Sequence, residues 1–255
     1  MLYLMSRGPG YDREKVYSAI LSRTRNLQQL IYQGWLQWTV SVHQPFAARH
    51  PFVMTVPTRV QTGAVPLDLL HNIPSSLKHL QLRRIYGRYN HLLEVILRNE
   101  NLEILNLFEI GDLESLHLEN IIDTPVAQSL TILRIRYLNQ HSDVDYGRIA
   151  SQILPHLPKL ETFAFEVCCL KDEPFFTTFY LCRNIRHFKF GYCRDVTKDG
   201  LAKISRHGKL KSLELMPLVP FDLETLRTIV NGNPNMTILL LPKESVSEEF
   251  QKELP

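Results

Sequence analysis

The side chains of this 255-residue chain best suited to metal binding or nucleophilic chemistry are four cysteines and ten histidines. Cys182, His187 and Cys193 come closest to a cluster, but a zinc site asks for four ligands at regular spacing. None of the phosphate-loop, dinucleotide, nucleophile-elbow or H-E-x-x-H patterns is present. The expectation is a chain that is not an enzyme, with no cofactor and no metal. Recognition is the chemistry left. The residues placed for it are His79, Gln81 and Arg83; Ile104, Asn106 and Phe108; and Ile132, Arg134 and Arg136. Thr162, Ala164 and Glu166, His187 and Lys189, and Ser212, Glu214 and Met216 continue the series. Arginine beside aromatic and apolar residues anchors protein interfaces. The basic members point to an acidic or phosphorylated segment as partner.

What spaces these residues is a phrase, L-x-x-L-x-L. It reads LKHLQL at Leu77, LEILNL at Leu102, LTILRI at Leu130 and LKSLEL at Leu210. Aromatic versions are LETFAF at Leu160 and IRHFKF at Ile185. MTILLL at Met236 is a worn copy, and LQQLIY at Leu27 is a candidate first one. Successive starts from Leu77 lie 25, 28, 30, 25, 25 and 26 residues apart. Such a period marks leucine-rich repeats, each a strand and a return segment that pack only on their neighbours. Apolar residues recur on one face of the return segments at 91–100, 146–157, 196–208 and 221–233, and 174–184 fills the same slot. Gly208 and Gly232 are placed as stops.

The expected fold is α/β, a right-handed leucine-rich repeat solenoid or horseshoe. Parallel strands line its concave face and helices its convex face. Strand alternation turns the leucines inward and leaves the residues between them on the concave side. Residues 1–65 are expected to hold an N-terminal helix at 12–24, the candidate first repeat, and an irregular stretch with a degenerate repeat near Phe52–Val56. The solenoid covers 66–242, and 243–255 is a polar tail. LESLHL at Leu113 sits too close to its neighbours for a full repeat. It reads either as an irregular return segment or as a sign that residues are missing near Phe108–Gly111.

Composition narrows the partners. A net charge of +3 is too weak for a nucleic-acid stripe, and no apolar run reaches the length of a membrane span. The cysteines form no C-x-x-C pairs, which fits reduced thiols in the cytoplasm or nucleus.

One stretch is more specific, IRHFKFGYCRDVTKDGLAKISRHGKLKSLEL at 185–215. Cys193 is the ninth residue of its repeat, and Cys168 of the repeat before. A small side chain there can sit beneath the turn leaving the sheet, beside backbone amides that need partners. Thr197 is placed to cap the next helix. The stretch resembles the cysteine-containing leucine-rich repeat of F-box proteins, L-x-x-L-x-L-x-x-C-x-x-[IV]-[ST]-D-x-G-L. Here aromatics replace two leucines, and Lys198 stands at the acidic position with Asp199 after it. The resemblance implies substrate recognition for an SCF-type (cullin-RING) ubiquitin ligase. In that family an F-box module docks on a Skp-type adaptor and the repeats hold the substrate. Residues 1–65 contain no run like L-P-x-E-[IV]-L. Adaptor docking is therefore expected only if an F-box lies outside this chain. The alternative reading is a free-standing repeat scaffold or inhibitor with no ligase role.

Overall fold

The computed structural model describes Leu2–Ser6, Leu30–Gly34, Met54–Thr55 and most of 73–242, with breaks at 74, 84–88, 109, 111–115, 138–144, 168–169, 171, 194 and 218. The chain forms two compact units, Met1–Ile132 and Leu133–Pro255. Both are α/β, and the described strand pairings are parallel.

The first unit contains β1 (Leu2–Ser6), β2 (Leu30–Gly34), β3 (Met54–Thr55), β4 (His79–Arg83) and β5 (Ile104–Phe108). Helix α1 (Tyr89–Leu97) joins β4 to β5. A 3-10 turn at Leu118–Ile121 and the short helix α2 (Pro125–Ser129) follow. Strands β3, β4 and β5 pair in sequence order. Beyond β6 (Ile132–Tyr137), the second unit contains α3 (Tyr146–Ile153), β7 (Thr162–Val167), α4 (Asp172–Phe179) and β8 (His187–Gly191). α5 (Lys198–Ala202), β9 (Ser212–Leu215), α6 (Leu223–Gly232) and β10 (Ile238–Leu240) complete it. Strands β6 to β10 also neighbour one another in sequence order.

Pairing register reproduces the phrase spacing. His79 lies opposite Ile104, Thr162 opposite His187, His187 opposite Ser212, and Ser212 opposite Ile238. Each offset equals the distance between the corresponding phrases. The doubled hydrogen bonds leading into the strands repeat as well. The carbonyl of the phrase's second residue accepts from the second and third amides of the next phrase. Lys78 accepts from Glu103 and Ile104 (2.7 and 2.9 Å), and Glu103 from Thr131 and Ile132 (2.8 and 3.1 Å). Glu161 accepts from Arg186 and His187 (2.8 and 3.0 Å), and Arg186 from Lys211 and Ser212 (2.8 and 3.1 Å). Lys211 accepts from Thr237 and Ile238 (2.9 and 3.2 Å).

Each unit buries the leucine side of its strands. In the first, Leu80, Leu82, Leu105 and Leu107 are fully buried, as are Leu92 and Ile96 of α1. In the second, phenylalanines take those places on β7 and β8, between Leu133 and Ile135 of β6 and Leu213 and Leu215 of β9. Phe163, Phe165, Phe188 and Phe190 stack along the sheet, and Phe175, Phe176 and Phe179 of α4 close on them. The closest pair is Phe179 on Phe188, with ring centroids 4.1 Å apart. Ring stacking of this kind adds about 1 kcal/mol per pair beyond the area buried.

A second repeated device closes the helices. The third residue before each phrase is Asn99, Cys182, His207 or Asn233 in the copies that carry a polar side chain there. Asn99 donates to the Val95 carbonyl (2.6 Å) and accepts from the Leu77 amide (2.8 Å). Asn233 does the same one repeat array later, donating to Ile229 (2.9 Å) and Ile204 (3.2 Å) and accepting from Leu210 (3.2 Å). Cys182 donates to Thr178 (3.5 Å), and His207 Nε2 donates to the Cys182 carbonyl (3.0 Å). These side chains satisfy buried backbone groups that helix ends leave open.

The predicted cap and the stop at Gly208 are in place, whereas Gly232 is the last residue of α6 and Asn233 follows it as the cap. Gly208 adopts φ of 73°, where a side chain would be strained, and ends the turn after α5. Thr197 caps α5, its hydroxyl accepting from the Gly200 amide at 3.0 Å. Cys193 is buried beneath the turn, but it donates its thiol to carbonyls, those of Val167 (2.8 Å) and Gly191 (3.4 Å). The expected partners were amides; a thiol hydrogen finds the sheet's terminal carbonyl instead.

Three expectations about the irregular regions can be placed. Strand β3 falls inside the stretch suspected of hiding a degenerate repeat, with Met54 opposite Leu82. Strand β2 falls within a residue of where the LQQLIY copy predicts it, and β1 pairs with it, Leu2 opposite Leu30. The strand at β1 was not read from the sequence. At LESLHL, residues 116–118 form no strand; Leu116 and Leu118 are buried in an irregular return segment leading to α2. The opening helix at 12–24, Cys168 and the tail at 243–255 lie outside the described residues.

Candidate functional site

Alternation along the strands separates a leucine-and-phenylalanine side from an open side, and the residues singled out for recognition sit on the latter. Their burial differs from strand to strand. In the first unit, His79, Ile104, Phe108 and Ile132 are half-buried. Gln81 and Asn106 are a correction: both are buried, Asn106 completely, and are not open to a partner. They lie opposite each other across β4 and β5, and Asn106 Nδ2 donates to Gln81 Oε1 at 3.3 Å. Short amides directly across a parallel pair shield one another. Asn106 Oδ1 is buried with no hydrogen-bond partner. The side chain of Arg83 lies outside the described residues.

In the second unit the open side carries charge. Arg134 and Arg136 come from β6, Ala164 and Glu166 from β7, His187 and Lys189 from β8, and Ser212 and Glu214 from β9. Lys189 lies opposite Ala164 on one side and Glu214 on the other. Its ammonium reaches Glu214 at 3.0 Å and Glu166 at 3.6 Å. Arg136 Nε lies 3.8 Å from Glu166, with its guanidinium 5.9 Å from the centre of the Tyr192 ring. Glu166 is 7% exposed, a second correction to the expectation of an open contact residue. It is buried because cations on both neighbouring strands cover it, as a buried carboxylate requires. Ala164 is buried for want of length.

Arg134 is different. No carboxylate lies within ion-pair distance of it among the described residues. Partial burial lowers its pKa, and the charge of Glu166 opposes that shift. A half-buried guanidinium with no described carboxylate in ion-pair range can donate its N–H groups to an anion. His187 is exposed and shares a 2.8 Å hydrogen bond with the Ser212 hydroxyl.

Tyr192 fixes the end of this patch. It holds φ of 63°, uncommon for a bulky residue, and its amide donates to the Pro217 carbonyl at 2.9 Å. Next to it, a Cβ on Gly191 would come 2.0 Å from the Met216 Cβ, so only glycine lets β8 and the residue after β9 approach.

The series continues onto β10, which the sequence reading left out of the site. Ile238 lies opposite Ser212 and Leu240 opposite Glu214, and they are 47% and 53% exposed. The worn phrase MTILLL carried the signal: both of its alternate positions are apolar, where each earlier copy has a polar residue at one or both.

The three side chains nearest to a cluster of ligands each have other partners. Cys182 and Cys193 donate to carbonyls and His187 pairs with Ser212. Burial pushes the Cys182 thiol up to about 11, which keeps it protonated and unreactive. Among the described residues no group of three or more potential metal ligands comes together. No described helix is long and apolar enough to cross a membrane. No protein-family model matches the chain, and no curated protein matches it.

Proposed function

We propose that the chain is a leucine-rich repeat module, a right-handed horseshoe whose open sheet face binds a protein partner. One observation carries this reading: the same doubled hydrogen bond recurs at the carbonyls of Lys78, Glu103, Glu161, Arg186 and Lys211, at the spacing of the phrases themselves. A scaffold built from one unit repeated keeps its open face free to vary. In the second unit that face carries an ion-pair network and exposed apolar residues. The module contributes binding geometry and no chemistry of its own, and it acts in the cytoplasm or nucleus.

The further role we propose is substrate recognition for an SCF-type ubiquitin ligase. Its support is the likeness of 185–215 to the cysteine-containing repeat of F-box proteins. The buried Cys193, the Thr197 cap and the Gly208 stop give that likeness a physical basis. The second reading is a free-standing scaffold or inhibitor. A pull-down of the full-length gene product with a Skp-type adaptor separates them. Retention supports the ligase role, and failure of a folded product to bind removes it.

A further inference from the structure

The open face of the second unit changes character from one end to the other. At β6 stand Arg134 and Arg136; in the middle Lys189 lies between Glu166 and Glu214; at β10 stand Ile238 and Leu240. Across the patch three cations meet two carboxylates, which leaves one positive charge. That charge sits at the β6 end. Lys189 lies 3.0 Å from Glu214 and 3.6 Å from Glu166, Arg136 lies 3.8 Å from Glu166, and Arg134 has no described carboxylate within ion-pair distance. Four strand steps separate β6 from β10, which is about 19 Å at the usual spacing.

From this, and resting on the reading of the face as a binding surface, we propose its occupant. It is a helical protein segment that lies across the strands, sets one carboxylate against Arg134 and Arg136, and lays apolar side chains on Ile238 and Leu240. A chain on the face of a sheet finds no ladder to join, so its backbone must satisfy itself, as a helix does. At 1.5 Å per residue the acidic and apolar positions fall about 13 residues apart. A single carboxylate matches the single unbalanced charge. A phosphate, at about two negative charges, would meet Glu166 with one to spare.

The test is selection of 16-residue helical peptides from a random display library on the full chain. Enriched sequences should carry Asp or Glu in the first turn and Leu, Ile or Phe about 13 residues later. On Arg134→Glu the first-turn preference should switch to Lys or Arg, and on Leu240→Glu the apolar preference should vanish. Each variant should lower the affinity of a wild-type-selected peptide at least about tenfold, with unchanged thermal melting. Arg134→Gln serves where charge reversal disturbs folding. Enrichment on this face without the acidic first turn overturns the inference. So does tighter binding when phosphoserine replaces the carboxylate, or a dimer of the chain that Leu240→Glu dissociates. Peptides indifferent to both variants, or no enrichment at all, overturn the reading of the face as a binding surface.

Discussion

The strand pair β4–β5 in the first unit and the pair β7–β8 in the second are built to one plan. Both pair in parallel at an offset of 25 residues, and both turn their phrase residues toward the helices. They differ in three places: the core, the closing residue before the phrase, and the open face. In the first the core is leucine, the closing residue is Asn99, and the face holds a neutral amide pair. In the second the core is phenylalanine, His207 closes the helix beyond, and the face holds a buried carboxylate among cations. The backbone repeat is indifferent to these choices. Register is set by what the two pairs share, and the chemistry of the open face by what they do not.

Breaking the core should have the largest effect. Phe188→Ala removes the ring stacked on Phe163 and Phe179 and should cost about 4 kcal/mol, against about 3 kcal/mol for Leu105→Ala, by urea unfolding. Equal costs would mean that the aromatic stack adds nothing to a leucine core.

The closing residues should respond differently to acid. Asn99 has no titration, whereas burial holds His207 down to about 4, with the carbonyl bond to Cys182 opposing and Arg183, Arg186 and Lys209 adding to the shift. Nε2 donates to a carbonyl, which leaves Nδ1 bare, buried and without a partner. The folded value lies below the unfolded one of about 6.5. Its contribution is therefore complete above pH 6.5 and is lost as pH falls from about 6.5 toward 4, up to about 3 kcal/mol. His207→Gln should flatten that part of the stability–pH profile; an unchanged slope would show that the imidazole is not the group titrating.

The open faces sharpen the comparison furthest. Glu166→Gln leaves Arg136 and Lys189 without their shared charge and should cost about 2 kcal/mol, less than a tight buried pair because the contacts are 3.6 and 3.8 Å long. Asn106→Leu removes a buried oxygen that has no partner, and should change stability by less than about 1 kcal/mol in either direction. If the two substitutions cost the same, the charged patch is no more structural than the amide pair.

Much of this was legible beforehand, because it follows from alternation and period. Leucines at fixed spacing gave the strands, their order and the inward side, and Thr197 and Gly208 announced a cap and a stop. What was not legible depends on the third dimension across strands. Gln81 and Asn106 look like contact residues until their register sets them face to face. Glu166 looks open until cations from two neighbouring strands close over it. The closing residues at Asn99, His207 and Asn233 did leave a mark, a polar side chain three positions before a phrase, which the leucine pattern overshadowed. Ile238 and Leu240 were hidden by a phrase whose alternate positions are as apolar as its core.

The account rests on the claim that the spacing of the phrases is the pairing offset of the strands. Paired cysteines at His187 and Ser212, opposite each other on the open face, test it directly. Under mild oxidation, with peptide mapping, His187→Cys with Ser212→Cys should cross-link readily, since opposed parallel strands lie about 4.8 Å apart. His187→Cys with Leu213→Cys should not, because one residue moves the second thiol to the buried side. Preferential cross-linking of the second pair would contradict the register, and with it the repeat.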